Sequence, residues 1–397
     1  MYWTNPGAEL LQEFHKLKTF YQDKDIILYG AGMMGGRICD AVEKLTSVTV
    51  KEFWDRDHQK KEYKEKRVLH LDEIEFSQYD AESVIIVIGL PDEIGKDVKD
   101  KLITSLGIKK TYCKLYTEFV MHDFPIIALY EYDKVFLDSL SMIITERCTL
   151  KCEKCAIMLP FFQEMSQYPK EKLVWEIDAL FDKADFIGNY TVTGGEPLLN
   201  RDLPEILAYI GKRYRNQIGS FKIITNGTIE PSAELIEIMR KYNVTAEISD
   251  YTHGVPRLKE KIGAVVDKYR KNNIQTYFLS AAEWVDFGFD TVQNNYTIEE
   301  ARAFFDYCHT RCRGYVDGKI RYCINAFFAE RTLQGTEDIN NMFDVMHMEN
   351  TEEERRKLVE FDLGYNEKGF LSMCQHCNGT VEINQHFIEV GKQCQNR

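Results

Sequence analysis

Three cysteines lie close together in the segment ITERCTLKCEKCAIMLP at 144–160, namely Cys148, Cys152 and Cys155. The spacing C-x3-C-x2-C suits a loop that wraps a compact metal cluster, and no further cysteine or histidine follows closely enough to complete a tetrahedral zinc site locally. In a cubane iron–sulfur cluster each of the four irons normally takes one thiolate, so three cysteines leave one iron free to bind a small molecule. The spacing therefore favours an open iron–sulfur site. Zinc completed by a remote ligand is the alternative, because C-x2-C is also common in zinc sites.

Three glycine- or polar-rich motifs follow the cysteines in order: GGEPLL at 194–199, ITNGT at 224–228 and EISDY at 247–251. With the cysteine loop, they make the segment resemble the radical S-adenosylmethionine (radical SAM) enzymes. The resemblance implies that the open iron chelates the amino and carboxylate groups of S-adenosylmethionine (AdoMet), which is cleaved to methionine and a hydrogen-abstracting 5′-deoxyadenosyl radical. The positions that it implies for AdoMet binding are Gly194, Gly195, Glu196, Thr225, Asn226, Ser249 and Asp250.

One position departs from the family pattern. The residue before the third cysteine is usually aromatic in the family and packs against adenine, but here it is Lys154. Phe161 or Phe162, just downstream, is expected to take over that contact.

The C-terminal segment has a second cysteine pattern. Cys308, Gly318 and Cys323 match the opening of the auxiliary-cluster domains attached to many radical enzymes, and VDGKI predicts a tight Asp-Gly hairpin between them. Cys374 and Cys377 follow, without the dense cysteine run of the two-cluster SPASM version, so the pattern resembles the one-cluster version called twitch. The expected ligands of a second 4Fe-4S cluster are Cys323, Cys374 and Cys377 with either Cys308 or Cys312. A zinc knuckle is the alternative.

The N-terminal segment contains a glycine pattern between a predicted strand and a predicted helix. Gly30, Gly32 and Gly35 form G-x-G-x-x-G, the context in which a helix N-terminus binds phosphate, and Asp55 follows the second strand where an acidic residue meets a ribose. The unit resembles Rossmann-like domains appended to nucleotide-sugar and polysaccharide-tailoring enzymes. The alternatives are a scaffold without a ligand and, less favoured because no second mononucleotide half is visible, a hydride-transferring NAD site.

Alternation of strands and helices predicts an α/β protein of three parts. We expect a Rossmann-like parallel sheet at 1–125, a partial (β/α)6 radical SAM barrel at 135–300 and a small cysteine-rich auxiliary-cluster domain at 301–397. The net charge of −13 argues against nucleic acid or an anionic membrane as the main partner. The N-terminus does not have the pattern of a signal peptide and the apolar runs are short, so a cytoplasmic location is expected.

Taken together, these features predict a radical SAM oxidoreductase or epimerase. The expected substrate is a sugar, a cyclitol or a nucleotide-linked sugar, and the expected electron donor is a reductant such as flavodoxin or ferredoxin. A maturase that modifies a ribosomally made peptide is the alternative, although the N-terminus does not resemble the winged-helix domain common in that class. A zinc-stapled binding protein leaves GGEPLL and ITNGT unexplained. Tyr251, His253, Trp284 and Asp286 are expected in loops at the mouth of the barrel, and no general acid or base can be picked.

Overall fold

The structure is a computed structural model that describes residues 1–80, 82–289, 291–308, 313–380 and 383–394. Its first region is a sheet in the order β3-β4-β2-β1-β5-β6, in which β3 is antiparallel and the other strands are parallel. The helices and strands are α1 (Ala8–Tyr21), β1 (Asp25–Tyr29), α2 (Met33–Leu45), β2 (Val50–Trp54), β3 (Glu62–Tyr63), β4 (Lys66–Leu69), β5 (Val84–Ile88), α3 (Asp92–Leu106), β6 (Cys113–Lys114), α4 (Tyr116–Glu118) and, after a π-helical segment, α5 (Phe124–Tyr132).

Apolar side chains cover both faces of this first sheet. Ile26 and Leu28 of β1 belong to one buried cluster, whereas Ile27 and Tyr29 belong to another on the opposite face. Strands that are buried on both faces require continuous apolar runs, which is why the run VIIVI forms β5. The Rossmann-like parallel sheet that the sequence predicts is confirmed.

The middle region forms a second, open sheet in the order β11-β10-β9-β8-β7-β13-β14-β15. Strands β7 to β11 run parallel in consecutive order, and β13, from the C-terminal segment, adds another parallel strand beside β7. The described region therefore supports a partial barrel. Its helices and strands are β7 (Phe136–Ile143), α6 (Lys170–Lys183), β8 (Phe186–Thr193), α7 (Leu203–Arg213), β9 (Ile218–Thr225), α8 (Ala233–Lys241), β10 (Thr245–Asp250), α9 (Lys259–Lys271), β11 (Thr276–Ser280) and β12 (Glu283–Val285).

The C-terminal region is built from short elements. A tight turn with Gly318 at φ 68° joins the antiparallel strands β13 and β14, as the sequence predicts for VDGKI. The last strand, β16, pairs with β12 and so brings the end of the chain to the middle region. The elements are α10 (Ile298–Cys308), β13 (Gly314–Val316), β14 (Lys319–Arg321), α11 (Ile324–Ala329), β15 (Met342–Asp344), α12 (Glu352–Asp362) and β16 (Phe387–Glu389).

The regions pack closely against one another. The side chains of α1 belong to the core of the barrel, and Trp3 stacks on Tyr365 with ring centroids 3.8 Å apart. Helix α2 lies against β8 and β9 near the ends where these strands begin: Arg37 is next to Gly219, and the Sδ of Met33 is 3.8 Å from the Oγ of Ser220. Among the described helices, none is long and apolar enough to cross a membrane.

Candidate active site

The three clustered cysteines lie on the loop after β7, at the end of the barrel where the parallel strands finish. The thiols of Cys148, Cys152 and Cys155 are close enough for electrostatic interaction among them. Burial raises the pKa of Cys148 to about 11 and that of Cys152 to about 12. Without a metal the thiols are therefore protonated at neutral pH, and metal binding must release protons.

The two glycines of GGEPLL let the end of β8 lie directly against this cysteine loop. A Cβ at Gly194 would be 2.1 Å from the carbonyl oxygen of Thr145, and one at Gly195 would be 2.4 Å from that of Arg147. The backbone N–H groups of Gly195 and Glu196 donate to those same carbonyls at 2.9 and 2.7 Å. The glycines thus allow the backbone after β8 to lie against the cysteine loop, and these two N–H groups already have acceptors within the protein.

Glu196 joins the GGEPLL loop to the ITNGT loop. Its fully buried carboxyl accepts hydrogen bonds from the Thr225 hydroxyl at 2.8 Å, from the backbone N–H of Asn226 at 2.8 Å and from that of Leu198 at 3.1 Å. Burial raises the pKa of Glu196 to about 7, against the lowering effect of these hydrogen bonds. Because the carboxyl oxygens are already bonded internally, Glu196 shapes the site, and its predicted contact with AdoMet remains a prediction.

Asn226 extends this network to the cysteine loop. Its side-chain amide donates to the Thr149 hydroxyl at 3.0 Å and lies 3.6 Å from the Sγ of Cys148. Its side-chain oxygen accepts from the Thr228 hydroxyl at 2.6 Å. The loops after β7, β8 and β9 are therefore held together by one set of buried polar contacts.

The motif on β10 lies two strands away from GGEPLL. The Asp250 carboxyl accepts from the Ser280 hydroxyl at 2.6 Å and from the N–H of Thr252 at 2.9 Å. Burial alone would raise the pKa of Asp250, but these hydrogen bonds hold it below its ordinary value. Ser249 points to the other face of β10 and pairs in register with Leu279 of β11.

Residues 142–300 match the family model of the Radical SAM superfamily. These residues form a radical SAM domain. They include the cysteine loop, GGEPLL, ITNGT and EISDY, so the predicted family is confirmed for this part of the chain.

Curated relatives and solved structures match parts of the chain. A probable GTP 3′,8-cyclase of Methanococcus aeolicus is 26% identical over 185 residues, which are 43% of this chain and 56% of that protein. A GTP 3′,8-cyclase of Sulfurimonas denitrificans is 40% identical over 83 residues, 20% of this chain and 24% of that protein. The chain thus spans about half of one relative and a quarter of the other. The structure of native anSMEcpe with bound AdoMet shares 13% identity, with a TM-score of 0.40 over 65% of this chain and 94% of that one.

Radical SAM domains use a 4Fe-4S cluster and AdoMet, and the residues of this loop fit that group. Three thiols face a common space, and the polar ends of β8, β9 and β10 border it. Cys148, Cys152 and Cys155 would hold the cluster. When bound, the cluster and AdoMet supply a carbon-centred radical that removes a hydrogen atom from a substrate.

Phe161 and Phe162, the two residues proposed to contact adenine, differ in their position relative to Lys154. The Nζ of Lys154 is 3.5 Å from the Asp286 carboxylate, and both line a small cavity with Phe161, Phe287 and Phe289. Phe162 instead packs into the core, where it stacks on Phe328. The environment therefore favours Phe161 over Phe162 for the predicted contact with adenine.

Two ion pairs of the radical SAM domain escaped the sequence analysis. Glu146, 1% exposed and two residues before Cys148, accepts a hydrogen bond from Arg331 at 2.5 Å. Inside the barrel, the Nζ of Lys222 is 2.6 Å from the Glu247 carboxylate. Neither pair belongs to a motif with a fixed spacing. For the second pair, the sequence contains one signal, which is that alternate residues of β9 and β10 point into the barrel.

The residues expected at the mouth of the barrel lie close to the cysteine loop, and most of them contact other side chains of the protein. Tyr251 is partly buried and packs edge-on against Trp284, with ring centroids 4.9 Å apart. The Nδ1 of His253 is 3.4 Å from the Glu389 carboxylate of β16. These contacts close the barrel mouth with the chain's last strand.

The C-terminal cysteines form a second group. Cys308, Cys323, Cys374 and Cys377 lie within electrostatic range of one another. Burial raises the pKa of Cys374 and Cys377 well above the ordinary value for a thiol. Cys312, the alternative to Cys308, lies outside the described residues. The grouping supports Cys308 as the partner of the other three.

The glycine loop of the N-terminal region has two different kinds of glycine. A Cβ at Gly35 would be 2.0 Å from the carbonyl oxygen of Gly30, so Gly35 is needed for close packing of α2 on the loop. At Gly32, the residue before α2, a Cβ would meet nothing within 4 Å. Asp55 is 7% exposed and accepts from the N–H of Ala31 at 2.7 Å, so its carboxyl holds the loop. The predicted contact between Asp55 and a ribose remains a prediction.

Proposed function

We propose that this radical SAM enzyme removes a hydrogen atom from a carbon of a sugar-like substrate, most specifically a nucleotide-linked sugar, and so oxidises or epimerises it. The observation that carries the proposal is a cavity inside the barrel in which polar side chains lie among isoleucines. This cavity of about 270 Å³ runs from Ile157 and Gly194, beside the cysteine loop, towards Ser139 in the first half of β7. Between these ends it is lined by Ser141, Asn189, Thr191 and Lys222 and by Ile143, Ile224 and Ile324.

Such a lining suits a substrate with many hydroxyl groups. Hydroxyl and amide side chains both donate and accept hydrogen bonds, as sugar hydroxyls do. Asn189 and Lys222 bond Ser139 and Glu247 within the protein, and a substrate hydroxyl can replace either partner because it both donates and accepts. The interior therefore favours a sugar or cyclitol over the peptide of the alternative hypothesis.

Lys222 and Glu247 are the charged pair within this interior. Each side chain is 18% exposed, so the pair is partly dehydrated, and Lys222 lines the cavity. Lys222 is suited to hold a substrate oxygen, and Glu247 is suited to take a hydroxyl proton. In an oxidation, the substrate carbon loses a hydrogen atom, its hydroxyl loses a proton to Glu247, and the remaining electron leaves through an acceptor.

The second cysteine group would supply that acceptor. A cluster held by Cys308, Cys323, Cys374 and Cys377 has a protein thiolate for every iron, which suits electron transfer and leaves no iron open. In an epimerisation a different hydrogen atom is added to the opposite face by a donor such as a thiol, which is left oxidised by one electron, and the substrate itself has no net loss of electrons. An external reductant such as flavodoxin or ferredoxin is the proposed electron source for AdoMet cleavage.

The N-terminal region supports the nucleotide part of the proposal. The loop before α2 lies at the base of the barrel, where Met33 contacts Ser220, and Ser220 is on the same face of β9 as Lys222. A diphosphate at the helix N-terminus would direct an attached sugar towards the barrel interior. The Nζ of Lys60 lies beside this loop, 3.0 Å from the carbonyl oxygen of Ala31, and is paired with the Asp55 carboxylate at 3.2 Å. The relatives named as GTP 3′,8-cyclases also act, by name, on a nucleotide.

The test is a calorimetric screen of uridine-, guanosine- and cytidine-linked sugars against the anaerobically loaded protein. A ligand that binds should then stimulate formation of 5′-deoxyadenosine, and deuterium from the reacting sugar carbon should appear in that product. Lys222→Met should abolish the stimulation, because it removes the only cation that lines the described cavity. Lys212→Met, on the exposed side of α7, is the matched control and should behave as wild type.

The outcomes separate the candidate functions. Deuterium transfer to 5′-deoxyadenosine together with a product that has lost two electrons indicates oxidation. Deuterium transfer together with a product that has gained a hydrogen from solvent or protein and has the inverted configuration indicates epimerisation. If no nucleotide, sugar or cyclitol binds to protein with full iron content, the proposal fails. Modification of a peptide under those conditions would then establish the maturase alternative.

A further inference from the structure

The C-terminal strap, residues 390–394, lies directly on the cysteine loop of the radical SAM domain. Cys152 and Gln393 form an antiparallel bridge. The N–H of Cys394 donates to the carbonyl oxygen of Lys151 at 2.8 Å, and that of Glu153 donates to the carbonyl oxygen of Lys392 at 2.7 Å. The strap is therefore attached to the loop by backbone pairing on both sides of Cys152.

Side chains reinforce this attachment. Lys392 forms an ion pair with Glu153 at 2.8 Å. The side-chain oxygen of Gln393 accepts from the N–H of Lys151 at 2.8 Å, and its amide nitrogen is 3.4 Å from the Sγ of Cys152. A Cβ at Gly254 would be 2.2 Å from the carbonyl oxygen of Val390, so the loop after β10 also fits closely against the strap.

This pairing places a fourth thiol beside the cluster loop. Cys394 is partly buried and lies within electrostatic range of both Cys152 and Cys155. The four cysteines of the C-terminal group lie together elsewhere, and Cys39 and Cys113 are buried in the N-terminal region. Among the described cysteines, Cys394 is thus the one that has no assigned role and lies within electrostatic range of the three-cysteine site.

We propose that Cys394 is a fourth ligand of the radical SAM cluster, bound to its open iron while AdoMet is absent and displaced when AdoMet binds. The exchange is a change of ligands without net oxidation. The iron–sulfur bond to Cys394 breaks, the amino nitrogen and a carboxylate oxygen of AdoMet bind in its place, and the released thiolate takes a proton from solvent. A cluster with four thiolates has no vacant iron, so the strap protects it from losing iron before the cofactor arrives.

The strap supplies the positioning that such an exchange needs. Its backbone pairing fixes the main chain of Cys394 against Lys151, one residue before Cys152, so the thiol does not have to be brought from a distant part of the structure. Because the thiolate and AdoMet compete for the same iron, the apparent affinity for AdoMet is lowered by the fraction of protein in which the thiolate is bound. The proposal concerns only the cluster loop and the strap, and it is independent of which substrate the enzyme uses.

A pulse of iodoacetamide on the loaded wild-type protein tests the exchange without any mutation. Labelling of Cys394, measured by mass spectrometry under anaerobic conditions, should be slow without AdoMet and should increase several-fold when AdoMet is added. It should also be fast in protein stripped of iron. Buried Cys39 serves as the internal control and should not respond. A cysteine that is merely nearby would be shielded or unaffected by AdoMet, so labelling that falls or stays constant overturns the proposal.

Cys394→Ala gives a spectroscopic test of the same point. Mild oxidation of AdoMet-free protein should convert the cluster of the variant to a three-iron form, seen by electron paramagnetic resonance, to a several-fold greater extent than in wild type. The variant should also bind AdoMet several-fold more tightly. Cys39→Ala, which removes a thiol in the N-terminal region, away from both cysteine groups, is the matched control and should resemble wild type in the oxidation test.

Equal three-iron signals in wild type and Cys394→Ala would also overturn the proposal. Should Cys394→Ala fail to fold or load, the labelling of wild type still decides the question. A failure of the proposed substrate class would leave both results unchanged, since neither measurement includes a substrate.

Discussion

The two glycines at the start of α2 allow one prediction to be worked out in detail. Gly35→Ala places a Cβ 2.0 Å from the carbonyl oxygen of Gly30. Normal contacts between carbon and oxygen are roughly 3.3 Å or longer, so the loop or the helix must move by more than about 1 Å. Overpacking of this kind costs about 1–3 kcal/mol. The melting temperature should therefore fall by roughly 3–12 °C.

Gly32→Val should change the stability little but weaken the binding of a nucleotide sugar. Gly32 has an extended backbone, with φ at −130°, and a Cβ there meets nothing within 4 Å. Valine is a poor residue at a helix N-cap, so we expect a loss of about 1 kcal/mol or less. Its side chain would nevertheless occupy the space in front of the helix N-terminus. The favourable interaction of an anion with that N-terminus is worth up to ~2 kcal/mol, so nucleotide-sugar affinity should fall by about 30-fold.

The assay pairs thermal unfolding, followed by circular dichroism, with calorimetry of a nucleotide sugar that binds wild type. Iron content and AdoMet cleavage should be unchanged in Gly32→Val, because the radical SAM cysteines are on another part of the chain. An unchanged melting temperature for Gly35→Ala would refute the packing argument. Unchanged affinity in Gly32→Val would refute the placement of the phosphate, and the N-terminal region would then be a scaffold.

Three further predictions concern the radical SAM domain. The loaded protein should contain roughly eight irons in two clusters, and simultaneous replacement of its three loop cysteines by alanine should leave about half of the iron and abolish AdoMet cleavage; stoichiometric zinc without iron would contradict this. Arg331→Met should lower the free energy of unfolding by about 2 kcal/mol in a urea titration, since it leaves the buried carboxylate of Glu146 without its cation, and a change below about 0.5 kcal/mol would count against that role. For Glu196, burial raises the folded-state pKa to about 7 from 4.5, so its stabilising contribution is complete below pH 4.5 and is lost as the pH rises through 7. The stability of wild type relative to Glu196→Gln should therefore fall by about 3 kcal/mol between pH 5 and pH 8, and a constant difference would show that the carboxyl does not titrate in this range.

Local sequence determined the elements and the cysteine loop. Alternating apolar runs and glycine turns specify the parallel strands, because a strand buried on both faces needs a continuous apolar sequence. The spacing of Cys148, Cys152 and Cys155 is short, so a single loop brings the thiols together whatever the rest of the chain does. The matched family and the α/β fold class could therefore be predicted.

Tertiary structure decided the contacts between residues distant in sequence. Lys222 and Glu247 meet because neighbouring parallel strands share an inward face, and Arg331 reaches Glu146 across 185 positions. It also showed that Glu196, whose contact with AdoMet stays a prediction, accepts three hydrogen bonds within the protein. The place of Cys394 near the cysteine loop likewise depends on the pairing of Gln393 with Cys152. Such contacts depend on which loops meet after the strands have assembled. Short-range spacing in the sequence does not specify which loops these are.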